Sequence, residues 1–395
     1  MGHELTEIAF LWPVSPAEPT AAAARLEGFQ RAAGALHLST LAIVPEGSAC
    51  QLGDKGGEVV RLKLCDSYAR KGSVAAMFGF PLSTFRLLRL LHGTECGLVV
   101  ASTPAPFVPF QALIVSRILN ADYVLDVRDS WEMESVTHYG RARNRVKEWL
   151  EKTCARSADV VWVVTAMLME RLRERYDLRP AVLELVPNGA DLAMFQAGTE
   201  NRSIDFVFLG SPARYRNVPG VLESVGLVAR LRPSLRAVFV GWGSLHEIES
   251  ENATALDSGV QSNFEFLQPI PRSQAARLLP RAKLGIVSLS GEDVFRGAIG
   301  AKAYEYMACG VPLACLGPRG DSELRRLVES RNVGFYASAP SEFAEQAVRI
   351  LCDEKGWRQL SENCLAASRD FDRTTISKRA LTSAIRRVSA RWRPA

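Results

Sequence analysis

Glycines and one lysine cluster between residues 297 and 312, next to a short helical pattern. The apolar spacing predicts a helix from about Lys302 to Cys309, which Gly310 and Pro312 would end. Small residues such as Gly300 at a helix start let backbone N–H groups approach an anion, and Lys302 adds a positive charge there. This spacing is typical of a phosphate-binding site.

A carboxylate follows one turn into the same predicted helix. Glu305 shares a face with Ala301 and Lys302, and its two oxygens could accept both hydroxyls of a ribose. An ordinary capped helix with a Lys302–Glu305 pair at the surface would have the same spacing. The residue pattern alone does not decide between these two interpretations.

Two glycine turns follow predicted strands in the second half of the chain. A strand over 205–209 leads into Gly210, and Arg214 and Arg216 follow just before a predicted helix. Arginine can bind a phosphate through two parallel N–H bonds, at a place where a helix start already favours anions. A plain solvated turn is the alternative. Gly241 ends the next strand in a Gly-Trp-Gly turn, a weak signal because the third glycine of a dinucleotide fingerprint is missing.

Charged residues also end a strand in the first half. The predicted strand 123–127 is followed directly by Arg128, Asp129 and Ser130. Doubly wound domains keep their active sites at the carboxyl ends of strands, so we take Asp129 and Arg128 as candidate catalytic residues. The two could also simply form an ion pair with each other, and we expect this purely structural role for one of them but not for both.

Short apolar strands alternate with helical patterns along the chain, which predicts βαβ units and parallel sheets covered on both faces. The alternation restarts after a polar stretch at 196–202. We therefore predict an α/β protein with two doubly wound, Rossmann-like domains, 1–198 and 199–372, and a ligand in the cleft between them. A C-terminal helix within 373–395 would pack back on the first domain. The predicted strands cover 8–12, 38–44, 97–101, 123–127, 160–165, 205–209, 236–240, 264–266, 284–287 and 313–315, and the predicted helices include 21–33, 107–119, 144–155, 220–231 and one near 245–252.

The composition is that of a packed globular protein, with 47% hydrophobic and 23% charged residues over 395 positions. The formal net charge of +5 is too small to indicate nucleic acid. It fits an anionic ligand such as a nucleotide diphosphate, or an anionic membrane surface. The eight cysteines form no CxxC pair and no zinc spacing, so we expect reduced, buried thiols and no metal site. With no apolar run of about 18 residues and no leader pattern, the expected location is cytoplasmic.

One segment favours contact with a membrane. Residues 78–91 combine eight apolar side chains with Arg86 and Arg89, and residues 141–147 add four basic residues. The pattern predicts either an amphipathic helix on a membrane interface or a core helix whose arginines reach the solvent.

Taken in order, these segments resemble family 4 of the GT-B glycosyltransferases, in particular its fucosamine-transferase-like branch. The resemblance covers nearly the whole chain, most clearly from residue 98 to residue 350. The matching segments are Ser102-Thr-Pro104, Arg128-Asp129-Ser130-Trp131, Val186–Phe195, Phe264–Ile270 and Lys302–Pro312. In the family, Val186–Phe195 corresponds to the hinge and Phe264–Ile270 to the strand and loop beside the nucleotide base.

The resemblance implies transfer of a sugar from a nucleotide diphosphate sugar, most often UDP-linked in this branch, with retention at the anomeric carbon and without a metal or another cofactor. It matches Arg216 to a pyrophosphate-binding lysine and Glu305 to a ribose-binding glutamate. The donor residues that it implies are Gly210, Arg214, Arg216, Gly241, Ile270, Gly300, Ala301, Lys302 and Glu305. Arg216, Lys302 and the amides around Gly300 would stabilise the charge on the leaving pyrophosphate.

The resemblance also implies where the acceptor enters. A hydroxyl acceptor would approach from the first domain near Asp129, with Trp12, Ser130 and His138 in the same region. Enzymes of this kind often act on lipid-linked acceptors in surface polysaccharide assembly, at the inner face of the membrane, whereas other members modify small natural products. No nucleic acid partner is expected.

Two positions depart from the family pattern. Ser211 stands in place of the first pyrophosphate arginine, for which Arg214 could substitute, and Gly297 stands in place of a glutamate that contacts the donor sugar in many members. Two alternatives follow: a non-catalytic protein that binds a nucleotide sugar or a partner transferase, and a nucleotide-sugar epimerase on the same fold. Asp370-Phe-Asp372 looks like a metal-binding DxD, but its place near the C-terminal end predicts a structural role.

Overall fold

The structure is a computed structural model that describes residues 7–13, 20–45, 58–64, 73–103, 107–129, 141–198, 202–212, 214–241 and 258–389. The chain divides into two compact units. The first unit contains Met1–Pro187 together with Arg373–Ala395, and the second contains Asn188–Asp372. The chain therefore passes between the units twice, after Pro187 and after Asp372.

The first unit contains seven described strands and six described α-helices. Its elements, in chain order, are β1 (Glu7–Leu11), α1 (Ala21–Gly34), β2 (Ser39–Pro45), β3 (Glu58–Leu62), α2 (Ser73–Leu91), β4 (Cys96–Ser102), α3 (Phe107–Ile118), β5 (Asp122–Val127), α4 (Arg141–Ser157), β6 (Val160–Val163), α5 (Ala166–Tyr176), β7 (Leu183–Leu185) and, after the second unit, α12 (Arg373–Ser389).

The second unit repeats the alternation with six described strands and six described α-helices. Its elements are β8 (Ile204–Leu209), α6 (Val218–Leu231), β9 (Ala237–Val240), β10 (Phe264–Leu267), α7 (Arg272–Leu278), β11 (Ala282–Ser288), α8 (Lys302–Ala308), β12 (Leu313–Leu316), α9 (Glu323–Arg331), β13 (Gly334–Ala337), α10 (Pro340–Cys352) and α11 (Glu354–Ser368).

Both sheets are parallel and doubly wound. The first has the strand order β3-β2-β1-β4-β5-β6-β7 and the second β10-β9-β8-β11-β12-β13. The order reverses between β1 and β4 in the first sheet and between β8 and β11 in the second. Crossovers leave the sheet in opposite directions at such a point, which opens a crevice at the carboxyl ends of the two strands. The predicted α/β fold with two Rossmann-like sheets is therefore confirmed.

The β1 strand separates the two packed layers of the first unit, because alternate side chains point to opposite faces. Ala9 and Leu11 lie in one apolar cluster with residues of α2, α3 and α4. On the other face, Phe10 stacks on Phe29 of α1 at 6.0 Å between ring centroids, and Phe29 stacks on Trp162 of β6 at 4.8 Å. All these residues are buried, so burial of apolar side chains on both faces of the sheet holds this unit together.

The C-terminal helix packs on the first unit. A Cβ placed on Gly28 of α1 would lie 2.8 Å from the Cγ atom of Arg373, which begins α12. The absence of a side chain at Gly28 thus lets α1 and α12 approach closely. We predicted that a helix within 373–395 packs back on the first domain and placed the boundary at residue 198, whereas the contacts divide the chain after Pro187.

Strong apolar runs located the strands to within two residues at either end, as for β2, predicted over 38–44 and found over Ser39–Pro45. The helix predicted near 245–252 lies outside the described residues. The pattern missed β3, β7 and β13, which are short or carry polar residues. Within the described residues, no helix has both the length and the apolar character needed to cross a bilayer.

Candidate functional site

The carboxyl ends of β8 and β9 approach each other through two glycines. Gly210 (φ +121°) and Gly241 (φ +89°) adopt backbone conformations that side chains rarely allow. A Cβ on Gly241 would lie 3.2 Å from the carbonyl carbon of Gly210. The two turns therefore bring the backbone at the ends of β8 and β9 close together at the crevice of the second sheet.

Arg216 lies directly over Gly210. Its guanidinium fills the space that a Cβ on Gly210 would need, and its Nη1 donates to the carbonyl oxygen of Ser211 at 2.7 Å. The backbone of the Arg214–Arg216 turn is fixed to the end of β11, because Ser288 Oγ donates to the Arg216 carbonyl oxygen at 2.6 Å. Arg216 is thus held at the reversal point of the sheet, whereas the side chain of Arg214 lies outside the described part.

Lys302 begins α8 and points its ammonium group under the same crevice. Its stem is partly exposed, but Nζ itself is buried and lies 3.4 Å from the ring centroid of Phe208. Nζ has no hydrogen-bond partner among the described residues. Burial, with a smaller contribution from the positive charge of Arg216, holds the pKa of Lys302 well below its usual range. A buried ammonium without an acceptor is costly, and an anion bound at this point would supply one.

Glu305 does not pair with Lys302. Its Oε1 accepts from Nη2 of Arg272 at 3.3 Å, and both side chains are mostly buried. The guanidinium of Arg272 also lies over the ring of Phe195, 5.5 Å from its centroid. The alternative of a surface Lys302–Glu305 pair on an ordinary helix is therefore wrong. Sequence reasoning missed Arg272, although its place two residues after Ile270, at the start of α7, could have drawn attention to it.

Tyr306 fixes the position of α8 against the sheet. Its hydroxyl oxygen accepts the backbone N–H of Leu209 at 2.8 Å, and its ring covers Gly285 of β11, where any Cβ would collide with it. Gly310 (φ +63°) then ends the helix turn. Tyr306 therefore links the last residue of β8, next to Gly210, to helix α8, which begins at Lys302. Sequence reasoning did not identify this buried side chain.

The remaining donor candidates lie around α8. Ala301 is the N-cap of this short helix and provides no side-chain hydrogen bond, and Gly300 precedes it. Ile270 is half-buried between β10 and α7. The structure thus brings Gly210, Arg216, Gly241, Gly300, Ala301, Lys302 and Glu305 to the carboxyl end of one sheet.

A buried ion pair occupies the corresponding point of the first sheet. Nη2 of Arg25, from α1, lies 2.7 Å from Oδ1 of Asp126, and both side chains are buried. Ser102 Oγ at the end of β4 donates to the same carboxylate at 2.9 Å. Arg25 also donates to the carbonyl oxygens of Val186 and Pro187, where the chain leaves the unit. Sequence reasoning missed Arg25, although a charge within the apolar run of α1 was a possible signal.

Arg128 is held by the end of β4. Its Nε donates to Ser102 Oγ at 2.8 Å and to the Thr103 carbonyl oxygen at 3.0 Å. These bonds, rather than a hydrogen bond to Asp129, fix the guanidinium. Asp129 is exposed, and its carbonyl oxygen accepts from Thr103 Oγ1 at 3.3 Å. The two candidate catalytic residues therefore differ, since Arg128 is anchored and the Asp129 side chain faces solvent.

The three residues proposed for the acceptor region are placed differently. Trp12 is fully buried, and its indole N–H donates to the carbonyl oxygen of Ala22 at 2.8 Å. Its side chain belongs to the core between β1 and α1 and has no surface to offer an acceptor, which corrects the expectation for this residue. Ser130 and His138 lie outside the described residues.

The Asp370–Asp372 triplet is part of the return crossing. Asp370 pairs with Arg331 at 2.9 Å, and the carbonyl oxygen of Phe371 accepts from the N–H of Ala190 at 3.0 Å. Phe371 also packs on Tyr304 of α8, with 4.8 Å between ring centroids. These contacts are those of a structural segment.

The cysteines are free thiols wherever the structure describes them. Five are buried and Cys352 is exposed, which differs from the expectation that all are buried. Cys50 and Cys65 lie outside the described residues.

Comparison with known proteins assigns both halves of the chain. Residues 16–189 match the family model described as Glycosyl transferase 4-like domain, and residues 203–353 match the model described as Glycosyl transferases group 1. The two matches together cover about four fifths of the chain, in the order that the fold requires.

One curated relative aligns with part of the chain. It is the D-inositol 3-phosphate glycosyltransferase of Segniliparus rotundus, 28% identical over 154 residues. The aligned region covers 36% of this chain and 33% of the relative, so the chain matches only about a third of that protein's length.

Solved structures resemble the chain over nearly its full length. The sucrose-phosphate synthase of Thermosynechococcus elongatus is 15% identical with a TM-score of 0.75, over 98% of this chain and 99% of that one. HepE of Anabaena, solved in complex with UDP and glucose, is 17% identical with a TM-score of 0.69, over 96% and 99% of the two chains. At these identities the likeness concerns the fold. With the two family models and the two parallel sheets, it shows that the chain belongs to the group 1 glycosyltransferases of the GT-B fold.

Proposed function

We propose that this protein transfers a sugar from a UDP-linked donor to a hydroxyl acceptor, with retention at the anomeric carbon and without a metal ion. The observation that carries the proposal is the buried ammonium of Lys302, which lacks a hydrogen-bond acceptor among the described residues and lies within range of the positive charge of Arg216. A group with these properties is suited to bind the diphosphate of a nucleotide sugar. The solved complex of HepE with UDP and glucose supports UDP as the donor nucleotide.

The donor would bind along the carboxyl ends of β8, β9 and β11. The diphosphate would contact Lys302 and Arg216, whose guanidinium occupies the space beside Gly210 that a Cβ would need. The ribose hydroxyls would donate to Glu305 after its bond to Arg272 is exchanged. Ile270 would lie near the base.

The chemistry follows from where charge develops. As the bond between the anomeric carbon and the diphosphate oxygen breaks, the bonding electron pair leaves with UDP, and the two cations stabilise the added negative charge. Lys302 and Arg216 thereby supply the positive charge for which other enzymes use a metal ion. The acceptor oxygen forms the new bond to the anomeric carbon, and Asp129 is proposed to take its proton.

The acceptor and the setting are proposals of the same kind. We propose an acceptor carried on a lipid, in cell-surface polysaccharide or glycolipid assembly at the cytoplasmic face of the membrane, in line with the resemblance to the fucosamine-transferase-like branch. Small natural products are the other acceptor class of such enzymes. Product analysis with both acceptor classes would separate the two.

A nucleotide panel tests the donor proposal directly. Thermal unfolding would be measured with UDP, GDP, ADP, CMP and dTDP, with and without a chelator, on the parent protein and on Arg216→Ala and Glu305→Ala. A nucleotide at 100 times its dissociation constant should add about 2.7 kcal/mol of stability. We expect UDP to give the largest shift, independent of the chelator, and both variants to lose most of it. A Lys355→Ala variant, which changes an exposed residue at the start of α11, serves as the control. No shift with any nucleotide would contradict an intact donor site.

One second candidate has a specific observation in its favour. Ser211 and Gly297 replace two family residues that contact the donor, which would fit a protein that binds a nucleotide sugar without turning it over. Measuring the release of UDP from UDP-sugars, with and without acceptor extracts, distinguishes a glycosyltransferase from a non-catalytic binding protein. Binding without any release would favour the non-catalytic protein, and a sugar altered at one carbon with UDP still attached would indicate an epimerase.

A further inference from the structure

An unusual surface lies on the helix layer formed by α2, α3 and α4. Three large apolar side chains of α2 are exposed: Phe78 (68%), Leu82 (45%) and Phe85 (62%). On α4, Val146 and Trp149 are exposed as well. We call these five residues the apolar face. Clusters of this kind are rare on soluble monomers and mark contact with a partner or a membrane.

The apolar face is continuous across the layer. Phe80 of α2 packs on Phe110 of α3 at 5.9 Å between ring centroids, and Phe110 packs on Trp149 of α4 at 5.7 Å. The buried side of α2 is formed by other residues, such as Leu87 and Leu91, which lie in the core. A core helix, the alternative interpretation of residues 78–91, therefore does not account for Phe78 and Phe85.

The same three helices carry a local excess of positive charge. Together they contain nine Lys or Arg residues and two Glu residues, a net charge of +7. Since the whole chain carries +5, the remaining residues carry a net charge of −2. Arg86 and Arg89 follow the exposed apolar residues along α2, and Arg145 precedes them on α4. The surface thus combines exposed aromatic rings with a local excess of positive charge.

We propose that this surface docks the protein on a bilayer that contains anionic phospholipid. Aromatic and aliphatic side chains partition into the interface, while each basic residue near an anionic surface adds roughly a fivefold gain in binding. A second copy of the chain is a less suitable occupant, because two helix layers that each carry a net charge of +7 would repel each other. The charge complementarity therefore selects the membrane.

The position of the apolar face connects docking with the acceptor. Helix α2 ends at Leu91, shortly before β4 begins at Cys96, so its N-terminal half with Phe78 lies towards the carboxyl edge of the sheet. The N-terminal half of α4, with Val146, lies towards the same edge, since α4 ends just before β6, and Trp149 lies at the middle of this helix. Arg128 and Asp129 lie at that edge too. If the proposed function holds, docking would present a lipid-linked acceptor at this edge.

Vesicle co-sedimentation of the full-length protein tests the inference. The probes are vesicles of pure phosphatidylcholine and vesicles in which roughly a third of the lipid is phosphatidylglycerol. We expect binding to the anionic vesicles that falls as salt is added. Phe78→Ser with Phe85→Ser should reduce binding at least tenfold, and Arg86→Gln with Arg89→Gln should reduce it about twentyfold at low salt.

Matched controls lie in the second unit. Leu231→Ser removes an equally exposed apolar side chain, 67% exposed on α6, and Arg349→Gln with Arg358→Gln removes the same charge as the arginine pair on α2. Both should bind vesicles within twofold of the parent. All variants should keep the parent's melting temperature and its UDP-induced shift, which tests folding and the donor site separately from docking.

Several results would overturn the inference. Equal binding to neutral and anionic vesicles, or no binding to either, would exclude an anionic-lipid surface. Self-association that disappears in the phenylalanine variant, without vesicle binding, would assign the face to contacts between copies of the chain. If no nucleotide shifted the melting temperature of the parent, the proposed function would be contradicted. The vesicle result would still test membrane docking independently.

Discussion

Each sheet of this protein places an arginine and a carboxylate near the carboxyl ends of its strands, yet the two pairs are built differently. Arg25 and Asp126 are buried, 2.7 Å apart, and hold further bonds to Ser102 and to the carbonyl oxygens of the chain exit. Arg272 and Glu305 are 3.3 Å apart and each keeps some exposure. The first pair is a fixed part of the framework, whereas the second is the pair that the proposed function would exchange for a ligand.

This difference indicates which of the two ion pairs could open for a ligand. A buried ion pair whose remaining donors and acceptors are satisfied resists change, because removing one partner leaves a charge without compensation. A pair with solvent access loses less when it opens. The second unit adds to this a buried ammonium, Lys302, that has no hydrogen-bond acceptor among the described residues. The proposed function would use this group to bind an anion, whereas the buried pair of the first unit contributes rigidity.

The largest effect should come from breaking the framework pair. Asp126→Asn keeps the shape of the side chain but leaves Arg25 buried without its counter-charge, so we expect a loss of about 3–5 kcal/mol in the unfolding free energy of the first unit. Glu265→Gln is the control, because its pair with Arg236 is exposed and should contribute about 1 kcal/mol or less. Urea unfolding followed by tryptophan fluorescence measures both. Equal losses in the two variants would contradict the comparison.

The next largest effect concerns Lys302. Lys302→Met removes a cation that has no hydrogen-bond acceptor among the described residues but would face the donor diphosphate, so UDP affinity should fall by about 10- to 100-fold. The free variant should be as stable as the parent or more stable, because a buried unpaired charge is removed. Calorimetric titration and thermal unfolding measure the two quantities. Lys283→Met, which removes a lysine paired with Asp205 at the amino edge of the sheet, should leave UDP affinity unchanged.

The lowered pKa of Lys302 gives a pH signature. Its folded value lies well below the ordinary 10.5, so the unfolded state binds more protons, and stability should rise with pH between the lowered pKa and about 10.4. A bound anion would raise the pKa again, so UDP binding should take up a proton and weaken across the same window. Titrations above about pH 8, where a terminal phosphate is ionised, measure this uptake in buffers of different ionisation enthalpy. This proton uptake should be absent in Lys302→Met. Proton uptake that persists in the variant would exclude Lys302 as the group that binds the proton.

The smallest effect should come from the exchangeable pair. Arg272→Gln frees Glu305 from its ion pair, so the ribose would no longer compete with a guanidinium, and UDP affinity should rise by about two- to fivefold. The matched change Arg277→Gln, at the other end of α7, should have no effect. A loss of affinity in Arg272→Gln would mean that Arg272 contacts the nucleotide itself, and the two pairs would then differ less than the comparison states.

Much of this protein could be predicted from particular residues. The apolar runs of β1, β2, β5 and β8 gave the strands, and their alternation with helical patterns gave two doubly wound sheets. Glycine and arginine placed just after strands pointed to Gly210 and Arg216, because the carboxyl ends of parallel strands meet at one edge. These features are local, so periodicity and turn chemistry are enough to find them.

Other features depended on contacts that are distant in the chain. Trp12 follows a strand and was assigned to the acceptor region, but its ring packs under α1. Glu305 was expected near Lys302, yet its partner is Arg272, more than thirty residues earlier in the chain. Arg25 and Asp126 are about a hundred residues apart, and the sequence around either residue does not predict that the two form a pair.

By itself, the sequence determined ten of the thirteen described strands and the helical patterns between them, because these follow from the period of apolar residues and from local backbone preferences. The tertiary structure decided which charges meet, which stay buried without a partner and which aromatic rings face solvent. Those outcomes depend on the crossing of α1, α7 and α8 over their sheets and on the packing of α2 and α4 against α3. Burial and distance set the energy of a charge, and both are properties of the packed chain rather than of neighbours in sequence.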